Sequence, residues 1–220
     1  MLFLRTIFEK KITMIGVENK KELKRKRKQP EVPAYLVYEM LDGMPVYYRG
    51  YKNVLNGKQT FEEIMGYGAL QWLIINLLKD YFQPIFGKTH WIWSGEGGLH
   101  VSQKTNPSLD FVMIPKNAFS IKNAKNKYID FPPKVVIEVD TKADFEALPL
   151  SPGSYYIKKT ELLLDFGVEE VIWIFTQVEK VMVARPKQPW LTVDWKDEIE
   201  VMGHRFSINQ IIKESESEQG

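Results

Sequence analysis

Residues 135–140 read Val-Val-Ile-Glu-Val-Asp. Four β-branched residues within five positions suit a strand buried on both faces, and such strands sit in the middle of sheets covered by helices. A second apolar run, Val171 to Phe175, reads the same way. Between the two, residues 154–166 carry apolar side chains at helical spacing and stop at Gly167, a residue suited to closing a helix. Strand, helix and strand in that order form the repeating unit of an α/β sheet. The expected architecture is one mixed sheet flanked by two main helices.

The rest of the chain extends that pattern. Residues 34–40 and 45–51 flank Asp42-Gly43, a strong hairpin signal. Thr60, with Glu62 and Glu63 behind it, predicts the start of a long helix that runs through Met65, Leu70, Leu73, Ile74, Leu77, Leu78 and Phe82 and stops at Pro84. Gly66 and Gly68 weaken its first turns or admit a close neighbour. HWIW, GLHV and LDFVMI, within residues 90–115, read as short strands. Residues 116–133 form a lysine-bearing loop ending in Pro132-Pro133. Strands at 181–184 and near 191–195 and a short FSINQII element close the chain.

Composition bounds the chemistry. The 220 residues contain no Cys, which excludes disulfides, thiolate metal sites and a cysteine nucleophile. The net charge of +2 hides an asymmetry. Residues 1–30 hold ten Lys/Arg and three Glu, a net +7, and residues 31–220 hold twenty basic and twenty-five acidic side chains, a net −5. The expected organisation is a basic tail over 1–30, one domain over 31–213 and an acidic tail over 214–220. The basic run suits a solvated tail or a nucleic-acid arm. Met14 is an alternative start. No apolar stretch approaches the length of a membrane span, and the apolar opening is broken by Arg5 and Glu9-Lys10-Lys11. A soluble cytoplasmic protein with no membrane partner is the expectation.

The informative residues are charges where burial is expected. Asp110 lies inside LDFVMI and Glu138 inside VVIEVD, with Asp140 two positions on and so on the same strand face. Buried carboxylates cost several kcal/mol unless paired or bound to a metal. Solvation at a strand end is the plain alternative, and it suits Asp140 and Asp110 better than Glu138. On the 154–166 helix, Lys159 falls at the centre of the stripe formed by Tyr155, Tyr156, Leu162, Leu163 and Phe166. Lys158 falls at its edge, while Thr160, Glu161 and Asp165 take the polar face. Lys159 either snorkels along apolar surface or meets Glu138 and Asp140. Two carboxylates can hold a hard divalent cation through oxygen, and a nearby ammonium can orient or deprotonate an attacking water. That set is suited to phosphodiester hydrolysis.

Three segments together resemble the Uma-type branch of the PD-(D/E)xK restriction-endonuclease-like superfamily: PSLDFVMI with Asp110, PPKVVIEVD with Glu138, and KKTELLLDFGVEEVIWIF with Lys159. In that branch a helical lysine stands eight residues before a Gly-Val turn, as Lys159 stands before Gly167-Val168. The N-terminal hairpin and long helix fit as well, so the resemblance covers roughly residues 34–212. It implies a restriction-endonuclease-like mixed β-sheet flanked by α-helices, with an N-terminal β-hairpin. It implies a Mg²⁺- or Mn²⁺-dependent endonuclease acting on DNA as a homodimer. It further implies Asp110, Glu138 and the backbone carbonyl of Val139 as metal ligands, and Lys159 as the catalytic lysine.

Three positions depart from the pattern. Leu109 precedes the acid, Thr141 replaces a serine, and Asp140 stands where the wider superfamily keeps its lysine. Asp140 would be a third acid at the site or a partner that draws Lys159 away from catalysis. Residues 142–153 read as a mobile loop over the site. Lys158 and Glu63 are further candidates, and Glu96 is a candidate for the cleft. Lys122, Lys125 and Lys127 are candidates for phosphate contacts. His90, His100 and His204 are too scattered for a zinc motif. Two other functions stand beside the nuclease: a non-catalytic module that binds nucleic acid or protein, and a metal-dependent hydrolase of small phosphoesters.

Overall fold

The computed structural model describes residues 32–120, 122, 124–146 and 151–217. The basic run over 1–30 lies outside the described residues. The elements below belong to the unit Tyr35–Gly220.

Six strands make one sheet: β3 (His90–Gly98), β4 (Ser108–Pro115), β5 (Val135–Val139), β6 (Glu170–Phe175), β7 (Lys180–Ala184) and β8 (Leu191–Asp194). They lie side by side in chain order. Every neighbouring pair is antiparallel except β5 and β6. That parallel pair is joined by helix α4 (Pro152–Phe166), the crossover that a parallel connection requires. Ser151 caps α4 by accepting from Ser154 N, and Gly167 closes it in the left-handed conformation. The sheet is mixed and flanked by helices, as the order of elements predicts.

Side-chain alternation divides the core. Phe111, Met113, Val135, Ile137, Val139, Ile172 and Ile174 face one way. They pack against Ile74, Ile75, Leu78 and Phe82 of α3 (Ala69–Phe86) and against Ile208 and Ile211 of α5 (Ile208–Ser217). Val112, Ile114, Val136, Val171 and Trp173 face the other way. They meet Tyr155 and Leu163 of α4 and the hairpin of β1 (Val37–Leu41) and β2 (Met44–Tyr47). Asp42 and Gly43 both have positive φ, 51° and 78°, which fits the two-residue turn that the Asp-Gly pair predicts.

Several boundaries differ from expectation. The long helix begins at Ala69, not Thr60. Gly66 and Gly68 are extended, and they split off the single turn α2 (Glu62–Met65), which follows the short helix α1 (Tyr51–Leu55). Pro84 lies inside the last turn of α3, which runs on to Phe86. There is no separate GLHV strand, because β3 runs continuously to Gly98 with a bulge between Ser94 and Gly97. A second hairpin, β9 (Ile199–Val201) and β10 (His204–Phe206), turns through Met202 and Gly203 at φ 48° and 83°. The last helix carries on through 214–217, where the sequence suggests a frayed tail. Ser207 Oγ accepts from Gln210 N at 3.1 Å, and Gln210 Nε2 donates to Glu214 Oε1 at 2.8 Å. Among the described residues, no helix is long and apolar enough to cross a membrane.

Candidate active site

The ladder between β4 and β5 ends at the rung Phe111–Ile137. One residue further, the two strands carry Asp110 and Glu138. Both are 1% exposed. Lys159 comes down from α4 onto the same face and has no exposed surface at all. Its Nζ lies 3.2 Å from Glu138 Oε1 and 3.0 Å from Glu39 Oε2, and it donates to Ser108 O at 2.7 Å. One of these contacts is a hydrogen bond and two are ion pairs.

Glu39, on β1, is fixed from two other directions. Tyr155 Oη donates to its Oε1 at 2.6 Å, and Ser108 N donates to its Oε2 at 3.1 Å. Asp110 is held by its Oδ2, which accepts from Val139 N at 3.0 Å. Gln71, near the start of α3, donates through Nε2 to Val139 O at 2.7 Å and to Asp110 Oδ2 at 3.4 Å. Both of those atoms are acceptors, which sets which way the Gln71 amide points.

Two carboxylate oxygens remain without a hydrogen bond. Asp110 Oδ1 and Glu138 Oε1 are buried and unsatisfied, as is the hydroxyl of Tyr67. The contact of Glu138 Oε1 with Lys159 is an ion pair off the direction of a hydrogen bond. The buried set thus holds three carboxylates against one ammonium. Burial raises the Asp110 carboxyl from 3.8 to about 6, although the Val139 N–H and the Lys159 charge pull it down. Burial raises Glu138 well above the usual carboxylate range, against the pull of Lys159. For Lys159, burial pulls down but Glu138 and Glu39 together outweigh it, so its pKa is raised and it stays an ammonium.

A second layer closes over these groups. Lys142 forms an ion pair with Glu96, donates to Met65 O at 2.7 Å and sits 3.9 Å from the ring centroid of Tyr67. The Tyr67 hydroxyl is pushed up by burial and then by the charges of Asp110, Glu96 and Glu138. Outside lies a cleft of about 760 Å³ that Gln71, Lys142, Asp140, Glu63 and Arg49 help to line. Arg49 Nη2 donates to Thr141 O at 3.0 Å and so pins the chain just past β5.

The remaining sequence candidates fall elsewhere. Asp140 does not share the face of Glu138. It has φ 54°, and the left-handed turn swings its carboxylate to Thr176, which donates through N at 2.9 Å and Oγ1 at 2.6 Å. Asp140 therefore makes no pair with Lys159, and Glu39 takes that place. Lys158 pairs with Asp42 in the hairpin turn, outside the buried set. Glu63 accepts from Thr60 N at 2.6 Å and lines the outer cleft. Thr160 is buried, not on a polar face, and accepts from Trp173 Nε1 at 2.8 Å. Lys122, Lys125 and Lys127 border a separate groove.

Sequence reasoning missed Glu39, Gln71 and Lys142. Glu39 carries the same signal as Glu138, a carboxylate among apolar residues of a strand. Gln71 and Lys142 carry none, because their roles depend on where α3 and the segment after β5 come together. Among the described residues, no three or more His, Cys, Asp or Glu side chains converge to hold a metal. The candidate ligand set is two carboxylates and the Val139 carbonyl. The carbonyl has a second lone pair besides the one Gln71 uses.

No family model matches the chain, and no curated protein matches it. The fold is similar to that of a solved structure, a "putative nuclease belonging to DUF820" from Anabaena variabilis ATCC 29413. The TM-score is 0.54 at 16% sequence identity, over 80% of this chain and 89% of that one. The chain thus shares the mixed α/β fold of that structure.

Proposed function

We propose that this protein is a divalent-metal-dependent endonuclease that hydrolyses DNA phosphodiester bonds, of the Uma-type branch of the PD-(D/E)xK superfamily. The observation that carries this reading is the buried excess of carboxylates, with Asp110 Oδ1 left without a hydrogen-bond partner and Glu138 Oε1 held only by its ion pair with Lys159. Buried carboxylates in that state call for a cation. Burial resists ionising Asp110 and Glu138, and with all three acids ionised against one ammonium two negative charges are unmatched, which suits a dication. Oxygen-only donors suit Mg²⁺ or Mn²⁺.

Asp110, Glu138 and the Val139 carbonyl would hold the ion. When bound, it would supply a water of lowered pKa and offset charge on the phosphate. Gln71 and Val139 N keep Asp110 turned so that Oδ1 is the free oxygen. Lys159 keeps its proton and is committed to Glu39, Glu138 and Ser108 O, so it works as a fixed positive charge behind the ion and does not act as a base. Glu39 and Ser108 O hold that ammonium in one place.

A second reading has an observation of its own. Lys159 is sealed from solvent, which suits a module that binds nucleic acid or protein without turnover. One experiment separates the two. Supercoiled, linear and single-stranded DNA are incubated with the protein, with and without Mg²⁺ or Mn²⁺, beside Glu138→Ala. The nuclease reading expects metal-dependent cleavage that the variant lacks. Cleavage that persists in the variant removes Glu138 from the mechanism. No cleavage of any substrate by the wild type favours the binding module.

A further inference from the structure

A groove of about 570 Å³ opens between β3 and residues 118–131. Lys122, Lys125 and Lys127 border it. Residues 116–131 carry four lysines and one acid, Asp130, in a domain that is otherwise acidic. Asp130 pairs with Lys127, so the groove keeps an excess of positive charge.

Its apolar lining is aromatic, and the rings are fixed. Tyr128 is 57% exposed, yet it has a built seat. Its ring lies on Gly98, where a Cβ would fall 2.4 Å from the ring carbons. The neighbouring residue, Ile129, is bridged to Leu99, donates to Gly98 O at 3.2 Å and accepts from His100 N at 2.8 Å. Phe119 meets Trp93 edge to face at 5.0 Å, and its carbonyl accepts from Trp91 Nε1 at 3.0 Å. A mere hydrophobic patch needs no lysine border, and a phosphate site for duplex DNA needs no exposed ring. Rings and lysines together match an unpaired strand, which offers base faces and phosphates at once.

The groove also extends toward the Glu96–Lys142 pair that covers the buried acids. A second depression of about 370 Å³ shares Trp93, Lys127, Tyr128 and Ile129 with it and reaches Glu96. Glu96 pairs with Lys142, which lines the cleft beside Gln71.

We infer that this groove binds an unpaired nucleic-acid strand, with a base stacked on Tyr128 and phosphates against Lys122, Lys125 and Lys127, and leads that strand to Asp110 and Glu138. The inference deepens the nuclease reading by naming the strand state of its substrate. The test is a binding measurement without metal, kept apart from cleavage. Fluorescence anisotropy is recorded in EDTA for the full chain with labelled deoxythymidine and uridine oligonucleotides of about 12 nucleotides, a usual site size, and with a duplex of equal length.

Single strands should bind at least about tenfold tighter than the duplex, since stacking contributes about 1–3 kcal/mol per base. Tyr128→Ala should weaken binding by about 5- to 100-fold and Tyr128→Phe should retain it. Gly98→Ala, which keeps the ring but displaces it, should weaken binding as well. Lys122→Ala and Lys125→Ala should each lower the salt slope by about 0.7. Equal or tighter duplex binding overturns the inference, as does unchanged affinity in folded Tyr128→Ala or no binding of any oligonucleotide. Single-strand binding that depends on Tyr128, from a protein that cleaves nothing, would sink the nuclease reading and leave this groove assigned.

Discussion

The two faces of the central sheet are equally buried, but only one of them carries charge within its hydrocarbon. Toward α3, Phe111, Met113 and Ile137 are fully inaccessible and surrounded by hydrocarbon. Toward α4, Asp110 and Glu138, one position along the same strands, and Lys159 of the helix are as inaccessible and charged. On the first face each side chain contributes through its own buried area, so losses are local. On the second, three carboxylates share one ammonium, and removing the ammonium strands Glu39 and Glu138. Burial alone therefore does not separate core from site. What separates them is whether a residue's contribution is its own or shared.

The largest expected effect tests the site's chemistry. Glu138→Ala should lower metal-dependent cleavage by about 1000-fold, because loss of metal-assisted charge stabilisation is worth several kcal/mol. Plasmid nicking assays measure it. Next comes the buried ion pair. Lys159→Met should cost about 3–5 kcal/mol in urea unfolding, since it leaves Glu39 and Glu138 without a cation. Adding Glu39→Gln should recover part of that loss. On the hydrocarbon face, Ile172→Val should cost only about 1 kcal/mol. If the two single variants lose equal stability, the contrast between the faces fails.

Asp110 sharpens the comparison through pH. Its carboxyl is raised from 3.8 to about 6 in the folded protein, so folding favours its protonated form. That contribution is present below about pH 4 and is lost as pH rises through about 6. A rise of this size corresponds to about 3 kcal/mol. In metal-free buffer, Tm should fall over this range in the wild type and fall less in Asp110→Asn. At neutral pH Mg²⁺ should restore Tm to the wild type and leave the variant unmoved. The smallest effect belongs to Asp140→Asn. Asn tolerates the left-handed conformation and can still accept from Thr176 N, so stability should change by less than about 1 kcal/mol, with cleavage retained.

Much of the fold is legible in the sequence because its signals are local. The runs at 135–139 and 171–175, the Asp42-Gly43 turn and the stop at Gly167 each state their geometry within a few residues. The split of the long helix is harder to read. Thr60 with Glu62 and Glu63 makes a good helix start, and only the extended conformations of Gly66 and Gly68 limit it to one turn. At the site, periodicity aims Glu138 and Lys159 inward, while it leaves solvation at a strand end open for Asp110 and snorkelling open for Lys159. The partnership of Lys159 does not follow from periodicity. Alternation places Asp140 beside Glu138, yet β5 ends at Val139, and a single positive φ turns Asp140 away. The true second partner, Glu39, lies 120 residues earlier in the chain. That distance is why no local pattern joins the two.

The alternation of charge and hydrocarbon along β4 and β5 also bears on how the chain finds its pairing. A slip of one residue between these strands would turn the side chains of one of them over. If β5 moved, Glu138 would enter the layer of Phe82 and Ile74, away from Lys159, while Ile137 would crowd the ammonium. An unpaired carboxylate in that layer costs several kcal/mol. Hydrocarbon alone would discriminate poorly here, because Val136 and Ile137 fit either layer by size. The buried charges therefore act as a key for alignment: only one setting of the two strands leaves Asp110, Glu138 and Lys159 together.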